Sequence, residues 1–363
     1  MRHAIPGSTM LLALLALSAC SAADEAEADD DGDMDAGTDG DADGDTDADA
    51  DSDSDTDTNN VNDAGEIELD CSACQHTGES LEAMACAFEL CDENLLLDMD
   101  YQSPSGSTTT GTRIAVEHFG SLTNELAPRG NNSYTLVATG PATGTSHSQS
   151  MGGVAGVDPW ANDQYASSPT HDIMQWSMVL KAPDGAHGFS FLYVYFSEEY
   201  DDYIGTGCND KFYVLLEAGS TNDGNQTIIN FTECRDPAQY HDFECPADVD
   251  YCDEGDPYCY IAINSALSDC CWYNGCPDGT SSQVGTDISG TGFECASSQG
   301  TDSNTFGSST GWLKTQWPID PGETFKITFH IMDVCDGAFD SEVILDDFHF
   351  LGTYTPGSTT PVE

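Results

Sequence analysis

From about residue 101 onward, short runs of aromatic and branched residues are separated by clusters of Gly, Ser, Thr and Asn, the punctuation of an all-β domain. Trp176, Met178 and Leu180 alternate with more polar neighbours, and so do Phe325, Ile327, Phe329 and Ile331. Each set predicts a strand with one buried face. The run FSFLYVYF, residues 189–196, is apolar in both parities, which predicts a central strand covered on both sides. Helical spacing occurs at Leu81, Met84, Ala85 and Phe88, inside CSACQHTGESLEAMACAFELC (71–91), and predicts a short helix with cysteines at both ends. The strand count and the scarcity of helical periods point to a two-layer β-sandwich, jelly-roll or lectin-like, over residues 101–354. Residues 217–311 read as a polar, cysteine-rich insertion in that sandwich, residues 71–100 as a small cysteine-rich segment ahead of it, and residues 355–363 as a flexible tail.

The first seventy residues follow another pattern. Arg2 precedes an apolar core at residues 10–17 that is too short to span a bilayer, so residues 1–19 read as an export signal. The core runs into Leu17-Ser18-Ala19-Cys20, which resembles the lipobox of bacterial lipoproteins and predicts lipid on Cys20. Ser21 and Ala22 lack the aspartate that retains lipoproteins at the inner membrane, which favours the outer one. Residues 20–70, with stretches such as DGDADGDTDADADSDSDTDT, hold few apolar residues and no EF-hand frame. They predict an unstructured stalk, on average at least about 40 Å from end to end.

Charge and cysteine content narrow the partners. The net charge is −57; residues 21–70 carry 22 acidic and no basic side chains, and residues 71–363 carry 43 acidic against 7 basic. Nucleic acid is excluded as a partner, because binding it takes Lys and Arg to neutralise phosphates. The expected partners are a membrane, through the lipid on Cys20, and an extracellular glycan or protein ligand. Of fifteen cysteines, Cys20 is assigned to lipid. Fourteen remain for disulfides in an oxidising compartment: Cys71, Cys74, Cys86, Cys91, Cys208, Cys234, Cys245, Cys252, Cys259, Cys270, Cys271, Cys276, Cys295 and Cys335. The first four could instead hold zinc, but the oxidising location favours two disulfides.

The segment FSFLYVYFSEEYDDYIGTGCNDKFYVLL (189–216), together with FKITFHIMDVCDGAFDSEVILDDFHF (325–350), resembles the choice-of-anchor L domain of bacterial surface proteins. The matching positions are Ser197, Glu198, Glu199, Tyr200, Asn209 and Asp210, then Asp333, Asp336, Asp340 and Ser341. ELAPRGNNSYTLVATG (125–140) and IAIN (261–264) extend the similarity more weakly, to about residues 116–352. The chain departs from the family in its cysteine-rich insertion and at Cys208 and Cys335, whose parallel placement makes them an expected pair. The resemblance implies an exported, surface-displayed β-domain.

The acids at these motifs pose the functional question. Glu198, Glu199, Asn209 and Asp210 on one segment, with Asp333, Asp336 and Asp340 on the other, are the expected ligands of a calcium ion held where the two meet, since calcium takes six to eight oxygens. Glu198 and Glu199 share a pocket only if the strand has ended before them. The alternatives are a solvated acidic rim whose carboxylates cap turns, and a glycoside-active enzyme using paired carboxylates. Trp272 and Tyr273, near Tyr258 and Tyr260, could stack on a sugar ligand or pack against disulfides. GSSTG around Ser309 lacks the strand-to-helix setting of a nucleophile elbow. His171-Asp172 reads as a loop contact. The reading is a lipid-anchored envelope protein presenting a non-catalytic β-sandwich for adhesion or ligand binding, with structural calcium.

Overall fold

The computed structural model describes residues 62, 65–67, 69, 71, 74–104, 111–147, 170–199, 210–233, 258–262, 286–293, 307–335, 337 and 339–362. The strands in chain order begin with β1 (Glu66–Ile67), β2 (Leu96–Gln102), β3 (Arg113–Val116), β4 (Tyr134–Ala138) and β5 (Thr170–Lys181). Next come β6 (Gly188–Ser197), β7 (Lys211–Glu217), β8 (Thr227–Ile228), β9 (Phe231–Glu233) and β10 (Tyr258–Ala262). The last are β11 (Ser308–Ser309), β12 (Leu313–Pro318), β13 (Thr324–Val334), β14 (Ser341–Leu351) and β15 (Ser358–Pro361).

They form two antiparallel sheets. One has the order β15-β12-β6-β14-β4-β3, with β1 added to β14 and β11 to β6; the other runs β2-β5-β13-β7-β10-β9, with β8 on β7. The inner faces share one core. Phe189 stacks on Phe325 at 5.3 Å and Phe191 meets Phe329 edge-on at 5.4 Å, so rings of β6 and β13 interlock between the layers. The double-faced β6 is explained on its other side, where Leu192, Val194 and Phe196 lie under Phe119, Leu126, Ile288, Phe293 and Trp312. No residue of β6 is left even half exposed.

The helix α1 (Leu81–Ala87) forms as its spacing predicts, with the Ser80 hydroxyl accepting from the Ala83 N–H at its start. Two disulfides, Cys71–Cys91 and Cys74–Cys86, staple it. With those sulfurs paired, no thiolate is left there for zinc. This segment is not a separate unit: Met84, Ala85, Phe88 and Leu90 join the main core, and β2 pairs with β5.

Three other boundaries also differ from the expectation. The stalk ends before residue 70, because Glu66 and Ile67 pair with Leu351 and Phe350 of β14, and Glu66 meets Lys314 at 3.2 Å. The tail contains β15, paired with β12 over four residues. The insertion returns repeatedly to the sandwich: β8 and β10 extend the second sheet, β11 pairs with β6, and Ile288 and Phe293 cover the outer face of the first. Short polar strands at sheet edges carry little periodic signal, so their pairing is decided by the neighbouring strand and not by a pattern of their own.

Candidate metal centre

Strand pairing of β6 ends at Ser197, and Glu198 and Glu199 follow in a turn, at 0% and 2% exposure. Asp340 stands immediately before β14. The Glu198 N–H donates to the Asp340 carbonyl at 3.1 Å, and the Asp340 N–H donates to Glu198 Oε2 at 3.2 Å. Two motifs 142 residues apart are therefore clasped side by side. Asp210 precedes β7 and completes the junction: its Oδ1 accepts from the Val334 N–H and its Oδ2 from the Ser341 hydroxyl, both at 2.9 Å. Asp333, next to Val334 on β13, is 1% exposed.

At this end the acids divide into two groups. Glu199, Asp210 and Asp333 all act on Tyr195: the Asp210 N–H donates to Glu199 Oε2 at 3.3 Å, and the Tyr195 hydroxyl contacts the Ser341 hydroxyl at 3.2 Å. Glu198 and Asp340 face His147 instead, whose Nε2 lies 3.0 Å from Glu198 Oε1 and 3.8 Å from Asp340 Oδ2. Among the described residues, His147, Glu198 and Asp340 are the one group outside the stapled cysteines whose ligand atoms all fall within 4.8 Å of one another. At 3.0 Å the His147–Glu198 approach is close, yet neither atom has a hydrogen bond, because the contact is off the bonding direction.

His147 is held from behind. Its backbone N–H donates to the Thr291 carbonyl at 2.6 Å and its ring stacks on Phe293 at 4.6 Å. Gly140 packs so closely on Asp340 that a Cβ there would run into the carboxylate. A bulge in the β13–β5 pairing sits beside the site, between Ile331 and Asp333, and Asp172 occupies it with φ +47° and a buried side chain. Glu342 follows Asp340 by two positions on β14 and is fully buried.

A solvated rim is therefore not what the chain builds. Asp172, Glu198, Glu199, Asp210, Asp333, Asp340 and Glu342 are all at most 5% exposed. Both oxygens of Asp333, Asp340 and Glu342 lack a hydrogen bond, although the nearby Thr139 hydroxyl eases the charge on Asp333. Burial, followed by the neighbouring acids, pushes the carboxyls upward. Asp172 rises to about 7 through burial and the charge of Asp340. Asp340 rises to about 6, with burial dominant and His147 pulling the other way. Asp333, beside Asp210, and Glu342, beside Asp340 and Glu198, lie well above the usual carboxylate range.

A second buried acid pair lies elsewhere. Glu89, just past α1, accepts from the Asn131 N–H at 2.8 Å, and Asp346 of β14 accepts from the Arg129 N–H at 2.6 Å. Burial and the Asp346 charge raise Glu89 to about 9, and burial raises Asp346 to about 7. This pair ties the stapled segment to the sandwich.

Sequence reasoning missed His147, Glu342 and the role of Asp172. His147 lies in a Thr/Ser/Gly loop 51 residues before Glu198, where no spacing marks it. Glu342 was legible in principle, since i and i+2 on a strand share a face. Asp172 lies in β5 and not in a loop, and Ser309 in β11, where its hydroxyl accepts from the Gly311 N–H at 3.0 Å.

Other expected residues fall outside the described ones: Cys20, Tyr200, Cys208, Asn209, Cys234, Cys245, Cys252, Cys270, Cys271, Trp272, Tyr273, Cys276, Cys295 and Asp336. Cys259 lies in β10. Cys335 is disulfide-bonded, and since Cys71, Cys74, Cys86 and Cys91 pair among themselves, its partner is another cysteine.

The family model of the choice-of-anchor L domain matches residues 132–350, which include β4 to β13 and nearly all of β14, with the acids of both groups. No curated protein and no solved structure matches the chain. No helix among the described residues is long and apolar enough to cross a membrane.

Proposed function

The chain belongs to the choice-of-anchor L domain family and is thereby a bacterial surface protein; from that premise we propose that it is a lipid-anchored display protein whose β-sandwich binds an extracellular ligand without catalysis and is locked at one end by divalent cations. Cys20 carries the lipid in the outer membrane, and the Asp-rich stalk lifts the domain away from it. Calcium serves the group of Glu199, Asp210 and Asp333, on segments that approach Asn209 and Asp336 in sequence. The ligand is a glycan or a protein, with Trp272 and Tyr273 as the stacking platform for a sugar.

One observation carries the cation reading: seven buried carboxylates converge on one end of the sandwich, where His147 faces Glu198 and Asp340. Seven negative charges in a dry site repel one another strongly, and they persist there only if protons or cations neutralise them. Calcium supplies two charges and accepts the oxygens that hydrogen bonds leave over. Burial also argues against the glycosidase alternative, because an acid and a base must reach a sugar from an open cleft. Glu198 and Asp340 are both 0% exposed.

Thermal unfolding of the oxidised full chain, with calcium and then with chelator, tests the reading. Saturable stabilisation of about 3 kcal/mol is expected at a hundredfold excess over Kd. Asp210→Ala should remove it. A melting curve indifferent to calcium excludes the structural calcium.

A further inference from the structure

We infer that His147, Glu198 and Asp340 form a separate site for a borderline divalent transition ion of the zinc class, distinct from the calcium group around Asp210. The inference rests on the reading that cations hold the acidic end, and it assigns a different ion to one part of it.

The donor set decides the class. Calcium selects oxygen, whereas an imidazole nitrogen beside two carboxylates suits zinc and its neighbours. Size agrees. In a tetrahedral shell with bonds of about 2.1 Å, donor atoms lie about 3.4 Å apart. The observed separations from Nε2, 3.0 Å to Glu198 Oε1 and 3.8 Å to Asp340 Oδ2, straddle that value. Neighbouring donors around calcium, with bonds of about 2.3–2.6 Å and six or more partners, lie equally close, so the imidazole nitrogen and not the spacing decides the ion.

Orientation agrees as well. A histidine and a glutamate 3.0 Å apart normally make a hydrogen bond, yet Nε2 and Oε1 make none. Two ligands of one ion behave this way, because each lone pair points at the metal and not at the other donor. All three side chains are nearly dry, at 2%, 1% and 0% exposure.

Glu342 is the independent sign. It is 0% exposed, neither carboxylate oxygen has a hydrogen bond, and the charges of Asp340 and Glu198 act on it. Three buried carboxylates thus crowd one histidine, and a dication would offset their mutual repulsion. The setting is built to hold its geometry: Phe293 supports the His147 ring, and Gly140 lets the chain close on Asp340.

The experiment is calorimetric titration of zinc into the oxidised, chelator-stripped full chain, in excess calcium, with His147→Ala alongside. The expected result is one equivalent of zinc that survives millimolar calcium, and an affinity at least about a hundredfold weaker in His147→Ala with the calcium response retained. Zinc affinity unchanged by His147→Ala, or zinc displaced by equimolar calcium, overturns the inference and leaves the calcium reading standing. Loss of the calcium response with zinc binding intact sinks only the calcium reading. Should the variant fail to fold, cobalt(II) in the unaltered protein decides. Intense visible bands of tetrahedral cobalt support the site, and the weak bands of six-coordinate cobalt overturn it.

Discussion

In chelator, the protein is expected to be more stable at pH 5 than at pH 8, by on the order of 5 kcal/mol, the reverse of ordinary acid denaturation. The groups responsible are carboxyls whose folded values are raised: Asp340 to about 6, Asp172 and Asp346 to about 7, Glu89 to about 9. Burial is the leading cause in each. In the unfolded chain such groups titrate near 4. Between that value and the folded one the native state binds more protons than the unfolded state, so stability falls as pH rises. The contribution is fully present below about pH 4 and is lost progressively as pH passes the folded values. A tenfold difference in proton affinity between the two states is worth about 1.4 kcal/mol, so between pH 5 and pH 8 Asp340 supplies up to roughly 1.4 kcal/mol and Asp172 and Asp346 up to about twice that each, the coupled groups adding less than their sum.

Saturating cation should flatten the part of this slope that arises from Asp172 and Asp340, because metal replaces protons there. The part from Glu89 and Asp346 should remain. Urea midpoints across this pH range, with and without chelator, measure both. A midpoint that is flat or rising with pH in chelator contradicts the account.

Phe88→Ala is expected to cost about 3–5 kcal/mol, near the upper end for a single core truncation. Phe88 lies at the end of α1 and is 0% exposed. Its ring meets Trp176 at 5.6 Å and Phe329 at 5.3 Å from one sheet, and Phe191 at 6.1 Å and Phe348 at 5.4 Å from the other. Truncation therefore opens a cavity between the layers and removes contacts to both. Denaturant unfolding of the oxidised protein reads the loss directly. A cost under about 1 kcal/mol would place the stapled segment outside the cooperative core.

Phe88 also marks the limit of what the sequence discloses. Its helical spacing with Leu81, Met84 and Ala85 is plain, and so is the even number of cysteines around it. That the ring plugs a sandwich formed by strands 88 and more residues later follows from tertiary packing, which no local period encodes. The strands themselves are legible where burial imposes a period: β5 and β13 through alternation, β6 through its two apolar faces. Edge strands such as β1 and β15 are not, since a half-exposed pair of residues needs no hydrophobic pattern.

The site is legible in the same uneven way. Glu198, Glu199, Asp210, Asp333 and Asp340 stand out because acids cluster after apolar strands. Their division into two groups is not visible, because it depends on which way each side chain leaves the turn after Ser197. His147 is invisible for a further reason: its partners are set by the stack on Phe293 and the bond to Thr291, both more than a hundred residues away.

The central claim, that buried protonated acids at one end of the sandwich give way to a divalent cation, can be tested by counting protons. Calcium is titrated into the chelator-stripped full chain at pH 7, in two buffers of different ionisation enthalpy. Saturable binding is predicted to release protons, because Asp333 of the calcium group titrates well above the usual range. Carboxylates of the Asp-rich stalk, already ionised at pH 7, release none. Binding heat that is the same in both buffers, or no saturable binding at all, would contradict the claim.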